Sequence, residues 1–245
     1  MKIFEGIKSI ISFLTIIPSK DSTIEEISNY AYLFPLIGAF IGTICGIFGY
    51  ILFKLIPNLI AAIFTLFSIM ILTGLNHLDG LLDLGDALMF RGTKEERLKI
   101  LHDKHHGIGG IFTVYFILTL TLATIILIEE KVFPMLILAE CLAKLSILII
   151  GCFAKPYNHG IGRIFILKVK EKRIKNLILG IFLSLLIVSI ISFKAIFSFI
   201  IVLIFSLIWL KFLTNIFGCI TGDMFGSINE ISRVLSLMTI IFLGV

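Results

Sequence analysis

The stretch Ile69-Met70-Ile71-Leu72-Thr73-Gly74-Leu75-Asn76-His77-Leu78-Asp79-Gly80-Leu81-Leu82-Asp83-Leu84-Gly85-Asp86 runs an apolar segment straight into three carboxylates. The apolar part reaches back to residue 58, and about 20 such residues cross a bilayer core of about 30 Å as a helix. The acids follow at spacings of four and three residues. At 3.6 residues per turn they fall on one stripe, within about 60° of each other, with neighbouring Cβ atoms about 5–6 Å apart. Unit charges at that distance repel by about 3 kcal/mol per pair at an effective dielectric of about 20. No Lys or Arg lies between Asn76 and Asp86 to offset this. A stripe of that kind beside a membrane calls for a divalent cation, and such a cation commonly holds phosphate.

Composition extends the first half of this reading to the whole chain. Hydrophobic residues make up 58% of the 245 residues, and the mean hydropathy is +1.11, well above that of soluble domains. The expected fold class is all-α: a polytopic integral membrane helical bundle of six to seven transmembrane helices plus an N-terminal interfacial amphipathic helix. Spans are predicted over 33–55, 58–77, 109–128, 132–153, 176–193 and 195–214, with a shorter apolar tail, 234–245, crossing in part. Spans and loops use up the chain, so residues 1–245 are expected to form a single membrane-embedded catalytic domain. From Lys2 to Ile17, the residues Ile3, Phe4, Ile7, Ile10, Ile11, Leu14 and Ile17 recur at helical spacing with polar residues between them. That pattern predicts a helix lying in the interface and ended by Pro18. It lacks a small-residue cleavage site and is not read as a removable signal. Cys45, Cys141, Cys152 and Cys219 are isolated and read as small buried hydrophobes.

Basic residues set the orientation. Arg91, Lys94, Arg97, Lys99 and Lys104 fill one connection, and Lys155, Arg163, Lys168, Lys170, Lys172, Arg173 and Lys175 fill another. The alternate connections hold little beyond Lys54, Lys131 and Lys194. By the positive-inside rule the basic loops face the cytoplasm, and with six spans the amino terminus and residues 215–231 join them. The net charge of +5 is accounted for by this distribution and does not point to nucleic acid.

Four stretches carry chemistry. In the first, Asp79, Asp83 and Asp86 are expected to bind Mg²⁺, with Asp83 and His77, at the span end, also expected to be catalytic; the structural alternative is a solvated loop start capped by Asp79. Gly80 and Gly85 thin that surface for a phosphate or a second helix. In the second, His102-Asp103-Lys104-His105-His106-Gly107-Ile108-Gly109-Gly110, Asp103 is a further ligand or a general base, and Lys104 or His105 contacts phosphate. A basic juxtamembrane loop explains the same residues; the His pair fits no standard zinc spacing. In the third, Thr221-Gly222-Asp223-Met224-Phe225-Gly226-Ser227-Ile228-Asn229-Glu230, Gly222, Asp223 and Glu230 read either as a second half of the polar site or as an ordinary interhelical connection. In the fourth, Lys155 to Phe165, Arg163 and Lys155 are candidates to hold an anionic substrate, although membrane topology alone explains their charge. No strand precedes its glycines, so the dinucleotide fingerprint does not apply.

Together these stretches resemble the cobalamin synthase family. The resemblance rests on Ser12 to Pro18, Phe34 to Ala39, His77 to Asp86, Asp103 to Gly110, Gly160 to Gly162 with Phe165, and Thr221 to Gly226 with Glu230. Leu82, Ala87 and His105 stand where family members commonly carry Ala, Gly and Arg, which puts a phosphate contact by His105 in question; no acidic position is lost. The resemblance implies a transfer of the phospho-cobinamide part of adenosylcobinamide-GDP to a ribose hydroxyl of α-ribazole or its 5′-phosphate, with release of GMP. It implies Mg²⁺ as cofactor, the lipid bilayer as setting and other cobalamin-assembly enzymes as possible partners. The acid spacing is also similar to that of membrane CDP-alcohol phosphotransferases, but the Arg their motif carries is replaced here by apolar residues. An ion-coupled transporter would place its acids near mid-bilayer between repeated halves, whereas here they sit at span ends and no repeat is evident.

Overall fold

In the computed structural model, residues 2–103 and 105–244 are described, Lys2 by its backbone alone. They form α1 (Lys2–Leu14), α2 (Ile24–Ser28), α3 (Phe34–Leu55), α4 (Asn58–Leu72), α5 (Asn76–Met89), α6 (Lys94–Leu101), α7 (Ile108–Ile128), α8 (Val132–Phe153), α9 (Ile161–Glu171), α10 (Arg173–Ile191), α11 (Ala195–Phe217) and α12 (Gly222–Phe242). Among the described residues there is no sheet, only an isolated bridge between Pro156 and Ile220. The protein is an all-α polytopic membrane bundle.

Helices α3, α4, α7, α8, α10, α11 and α12 run between the two ends of this bundle. The apolar helical stretch Ile108–Phe153 has 46 residues, about 69 Å at 1.5 Å per residue, twice a bilayer core. It therefore holds two crossings, separated by the short 3₁₀ turn Glu129–Lys131, where Glu129 has φ 46°. One end of the bundle is tied by polar contacts around that turn. Lys54 pairs with Glu130 at 2.6 Å, and Asn58 Nδ2 donates to Glu129 Oε1 at 3.0 Å. All the chemistry-bearing stretches collect at the opposite end except the deeper part of the third.

The centre of the bundle is the pair α3 and α8. Gly38, Gly42 and Gly46, four residues apart, lie against Glu140, Leu136 and Phe133 of α8, and a methyl group on Gly38 or Gly42 would collide with carbonyl oxygens there. Lipid tails are as apolar as leucine, so close backbone approach through small residues, rather than water exclusion, is what holds such helices together.

Two sequence expectations change. The predicted span 58–77 ends at Leu72, and α5 turns 93° away from α4. Gly74 (φ 69°) and Leu75 (φ 63°) make the bend, both left-handed; for a leucine that conformation is strained, at about 1–3 kcal/mol. The α5 helix therefore does not continue the crossing but carries its acids along the bundle end. Within the expected partial tail, 234–245, residues 234–242 are the second half of the complete 21-residue helix α12. Asn229, Glu230 and Arg233 hid it by lowering its hydropathy, and all three are buried in the bundle interior.

Candidate active site

The site is built where the first turns of α5 and α12 cross. A methyl group on Gly80 would collide with the Asp223 carbonyl, and one on Gly226 would come within 2.7 Å of the His77 carbonyl. Glycine at both positions lets the two backbones touch, and this brings the α5 acids against Asp223. The α9 amino terminus joins them, with Gly162 against the backbone of Gly222. Backbone bonds from Tyr157 N to Ile220 O (3.0 Å) and Ile220 N to Lys155 O (2.8 Å) fasten the preceding loops together. Two helix amino termini thus meet at one place, each with unpaired N–H groups that favour an anion.

Asp83 is the most constrained of the acids, with its side chain 16% exposed. Burial first, then the charges of Asp79 and Asp223, push its carboxyl up to about 6; His106, at 3.6 Å, acts in the opposite direction. Among the described residues no Lys or Arg forms an ion pair with Asp79, Asp83 or Asp223. The repulsion expected from the sequence spacing is present, and it is joined by a fourth acid from another helix.

Asp86 has a different task. Its Oδ2 accepts from Gly107 N and its Oδ1 from Gly110 N, both at 2.7 Å. It caps the amino terminus of α7 across 21 and 24 residues of chain, a use of carboxylate that stabilises helix starts. Gly85, Gly109 and Gly110 let α5 and α7 close up around it. Both oxygens of Asp86, expected from sequence as a metal ligand, are thus engaged by backbone N–H groups, while Asp223 joins the acids around Asp83. Among the described residues no group of three or more His, Cys, Asp or Glu side chains stands placed to hold a metal ion. Carboxylate oxygens are the donor type Mg²⁺ takes, and that ion needs few protein ligands because it keeps water and substrate phosphates in its shell. They do not fit a closed zinc centre.

Within the second stretch, Asp103 and His105 are peripheral. Asp103 Oδ1 accepts from His105 N at 3.0 Å and lies 2.9 Å from His105 Nδ1, and both residues are exposed. Lys104 lies outside the described residues. His102, not singled out from the sequence, stacks on Tyr157 with ring centroids 5.2 Å apart and lies 5.9 Å from His159. These three rings form a rim. Arg163 is exposed at the start of α9.

Inside the rim lies a cavity of about 650 Å³. Asn76, His77, His102, His159, Thr221 and Asp223 give it a polar side; Phe13, Phe34, Phe165 and Phe225 give it an aromatic one. Asp223 belongs both to this cavity and to the acid group, whereas Asp79, Asp83 and Asp86 flank it without lining it.

Glu230, expected to face substrate, does not reach the cavity. It is 1% exposed and accepts from Arg233 Nη1. Arg233 Nε also donates to Glu140, whose other oxygen accepts from Lys144 Nζ at 2.9 Å. This buried quartet of two acids and two bases escaped the sequence reading. The signal was there: Glu140 and Lys144 stand four apart inside an apolar run, and charges within a membrane helix are costly unless employed. His77 lies between quartet and cavity. Burial first, then the charges of Lys144 and Arg233, hold its pKa well below the usual imidazole range. Its Nδ1 is buried without a hydrogen-bond partner.

Comparison with known proteins follows this geometry. Residues 6–241 match the family model described as cobalamin-5-phosphate synthase. A protein from Methanococcoides burtonii named adenosylcobinamide-GDP ribazoletransferase is 30% identical over 249 residues, covering 96% of this chain and 91% of its own. One of the same name from Thermococcus onnurineus is 31% identical over 241 residues, covering 97% of both chains. Another, from Methanocella arvoryzae, is 28% identical over 253 residues. No solved structure matches. A family match spanning nearly the whole chain, with the acids of α5 and α12 drawn together at one end of a membrane bundle, leads to one conclusion: this chain belongs to the cobalamin-5-phosphate synthase family.

Proposed function

We propose that the protein transfers the phospho-cobinamide moiety of adenosylcobinamide-GDP to a ribose hydroxyl of α-ribazole, or of α-ribazole 5′-phosphate. The acceptor oxygen forms a bond to the cobinamide-linked phosphorus, the bond from that phosphorus to GMP breaks, and the hydroxyl proton leaves. The observation that carries this reading is the meeting of Asp79 and Asp83 with Asp223, without an ion-paired Lys or Arg among the described residues. Such a group repels itself until a divalent cation and a substrate diphosphate join it.

Asp79, Asp83 and Asp223 would hold Mg²⁺, which when bound neutralises charge on the diphosphate. Phosphoryl transfer depends mainly on positioning and on such neutralisation. The amino termini of α9 and α12 present N–H groups to the same anion. Arg163, exposed at the start of α9, offers charge to the substrate. Asp103 and Asp223 are the candidates to take the acceptor proton, and Asp223 is the better placed because it lines the cavity. The Lys and Arg distribution supports a site on the cytoplasmic side of the cell membrane.

The test is release of GMP from adenosylcobinamide-GDP by the purified full chain. The expected result is release that depends on α-ribazole, with the corrin product formed in equal amount. Release without acceptor, or transfer to a phospholipid-type alcohol in preference to α-ribazole, contradicts the reading.

A further inference from the structure

The cavity is divided chemically, and the division has a direction. Its polar side includes Asp223, the carboxylate shared with the acid group. On the aromatic side Phe165 stacks on Phe34, with centroids 5.5 Å apart and planes 17° from parallel, and meets the edge of Phe225 at 5.3 Å. Phe165 is the hub of that wall: it touches the other two rings and is itself 4% exposed.

Size decides what can enter. Pockets of about 300–1,000 Å³ enclose ligands of drug-like mass. At about 650 Å³ the cavity takes a nucleoside or a nucleotide, not the far larger corrin, which must stay outside it. The occupant is then either the guanosine of the donor or the acceptor nucleoside. Chemistry separates the two. Guanine carries donors and acceptors around its edge, and burying them unpaired costs free energy. The phenylalanine wall offers them no partner; Asn76, His77, Thr221 and Asp223, which could pair with them, belong to the polar side of the cavity. A benzimidazole-type base is flat and largely apolar around its ring, so it loses little there and gains stacking.

We propose that the aromatic end of this cavity, centred on Phe165, seats the flat apolar base of the acceptor nucleoside, leaving its ribose on the Asp223 side and the corrin outside. The proposal rests on the transfer reaction given above. Phe34, Phe165 and Phe225 are then specificity-determining residues that select an acceptor by its base and are not catalytic.

The experiment uses the purified full chain in lipid nanodiscs, comparing wild type with Phe165→Leu and Phe225→Leu. It reads KM for α-ribazole, KM for adenosylcobinamide-GDP, kcat, and direct equilibrium binding of α-ribazole without donor. Loss of a stacking ring is expected to weaken acceptor binding about ten-fold, with the donor KM and kcat within about two-fold of wild type. Wild-type use of acceptors bearing a polar purine base is expected to be at least ten-fold poorer in kcat/KM. A raised donor KM with an unchanged acceptor KM overturns the proposal and places guanine in the cavity. Unchanged values for both substrates overturn it as well, as when a lipid tail fills the aromatic end. Should Phe165→Leu fail to assemble, Phe225→Leu and the wild-type acceptor comparison decide. Absence of any product from wild type would instead count against the reaction itself.

Discussion

Carboxylates occur in this molecule in two opposite arrangements. On α5 and the start of α12, Asp83 is pushed up to about 6 by burial and by the neighbouring charges of Asp79 and Asp223. Deeper in the bundle, Glu140 and Glu230 are matched one for one by Lys144 and Arg233, all of them 1% exposed or less. The inner quartet balances its charges, two acids against two bases, with Arg233 Nη2 the one guanidinium nitrogen buried without a hydrogen-bond partner. The outer group is open. His106 lies beside Asp83 at 3.6 Å, and in the proposed reading a divalent cation supplies the remaining charge. The difference separates two uses of the same residue type, one that fixes how α8 and α12 pack and one that waits for a ligand.

Breaking one arrangement should therefore not resemble breaking the other. Asp83→Asn removes like-charge repulsion, so the folded bundle should survive with an unaltered Tm. Turnover should fall by about 10²–10³-fold, the scale of losing one charge-stabilising group; GMP release together with thermal denaturation in detergent checks both halves. Arg233→Met does the reverse. It strands Glu230 in the interior and leaves Glu140 with Lys144 alone, and removing one member of a buried pair costs about 3–5 kcal/mol. A large drop in Tm is expected, with activity lost only as the fold is lost. If Arg233→Met were as stable as wild type yet inactive, the quartet would belong to the chemistry and the comparison would fail.

Asp86→Ala sharpens the boundary between the two regions. It removes a cap from α7 and should cost about 1–2 kcal/mol of stability, seen as a modest fall in Tm and faster hydrogen exchange at Gly107 to Gly110. Its effect on the Mg²⁺ dependence should be smaller than that of Asp79→Asn. At the far end, Lys54→Met breaks an exposed pair with Glu130, 2.6 Å long. Surface pairs contribute little, so neither Tm nor turnover should change measurably.

Much of this was legible in the chain. The apolar runs gave the bundle, and helical periodicity put Asp79, Asp83 and Asp86 on one helix. The amphipathic pattern of residues 2–17 gave α1, which stops at Leu14; beyond it Ser12 Oγ accepts from Ser19 N and Lys20 N and turns the chain. What stayed hidden depended on contacts between distant segments. Nothing local in Asp86 says that its oxygens meet Gly107 and Gly110. The low hydropathy of Asn229 to Arg233 looked like a loop because its partners, Glu140 and Lys144, lie some ninety residues away. The bend at Gly74 and Leu75 needed backbone angles that a leucine rarely adopts. The aromatic cavity wall was invisible for the same reason, since Phe34, Phe165 and Phe225 come from three helices.

The central claim is that the meeting acids of α5 and α12 hold a divalent cation against the donor diphosphate. Its most direct test is turnover of adenosylcobinamide-GDP and α-ribazole by metal-stripped protein as Mg²⁺ is added back, with wild type beside Asp79→Asn. The account predicts no turnover without divalent cation, saturable recovery in wild type, and a half-saturating Mg²⁺ concentration at least ten-fold higher in the variant. Full turnover in excess chelator, or identical Mg²⁺ curves for the two proteins, would contradict it.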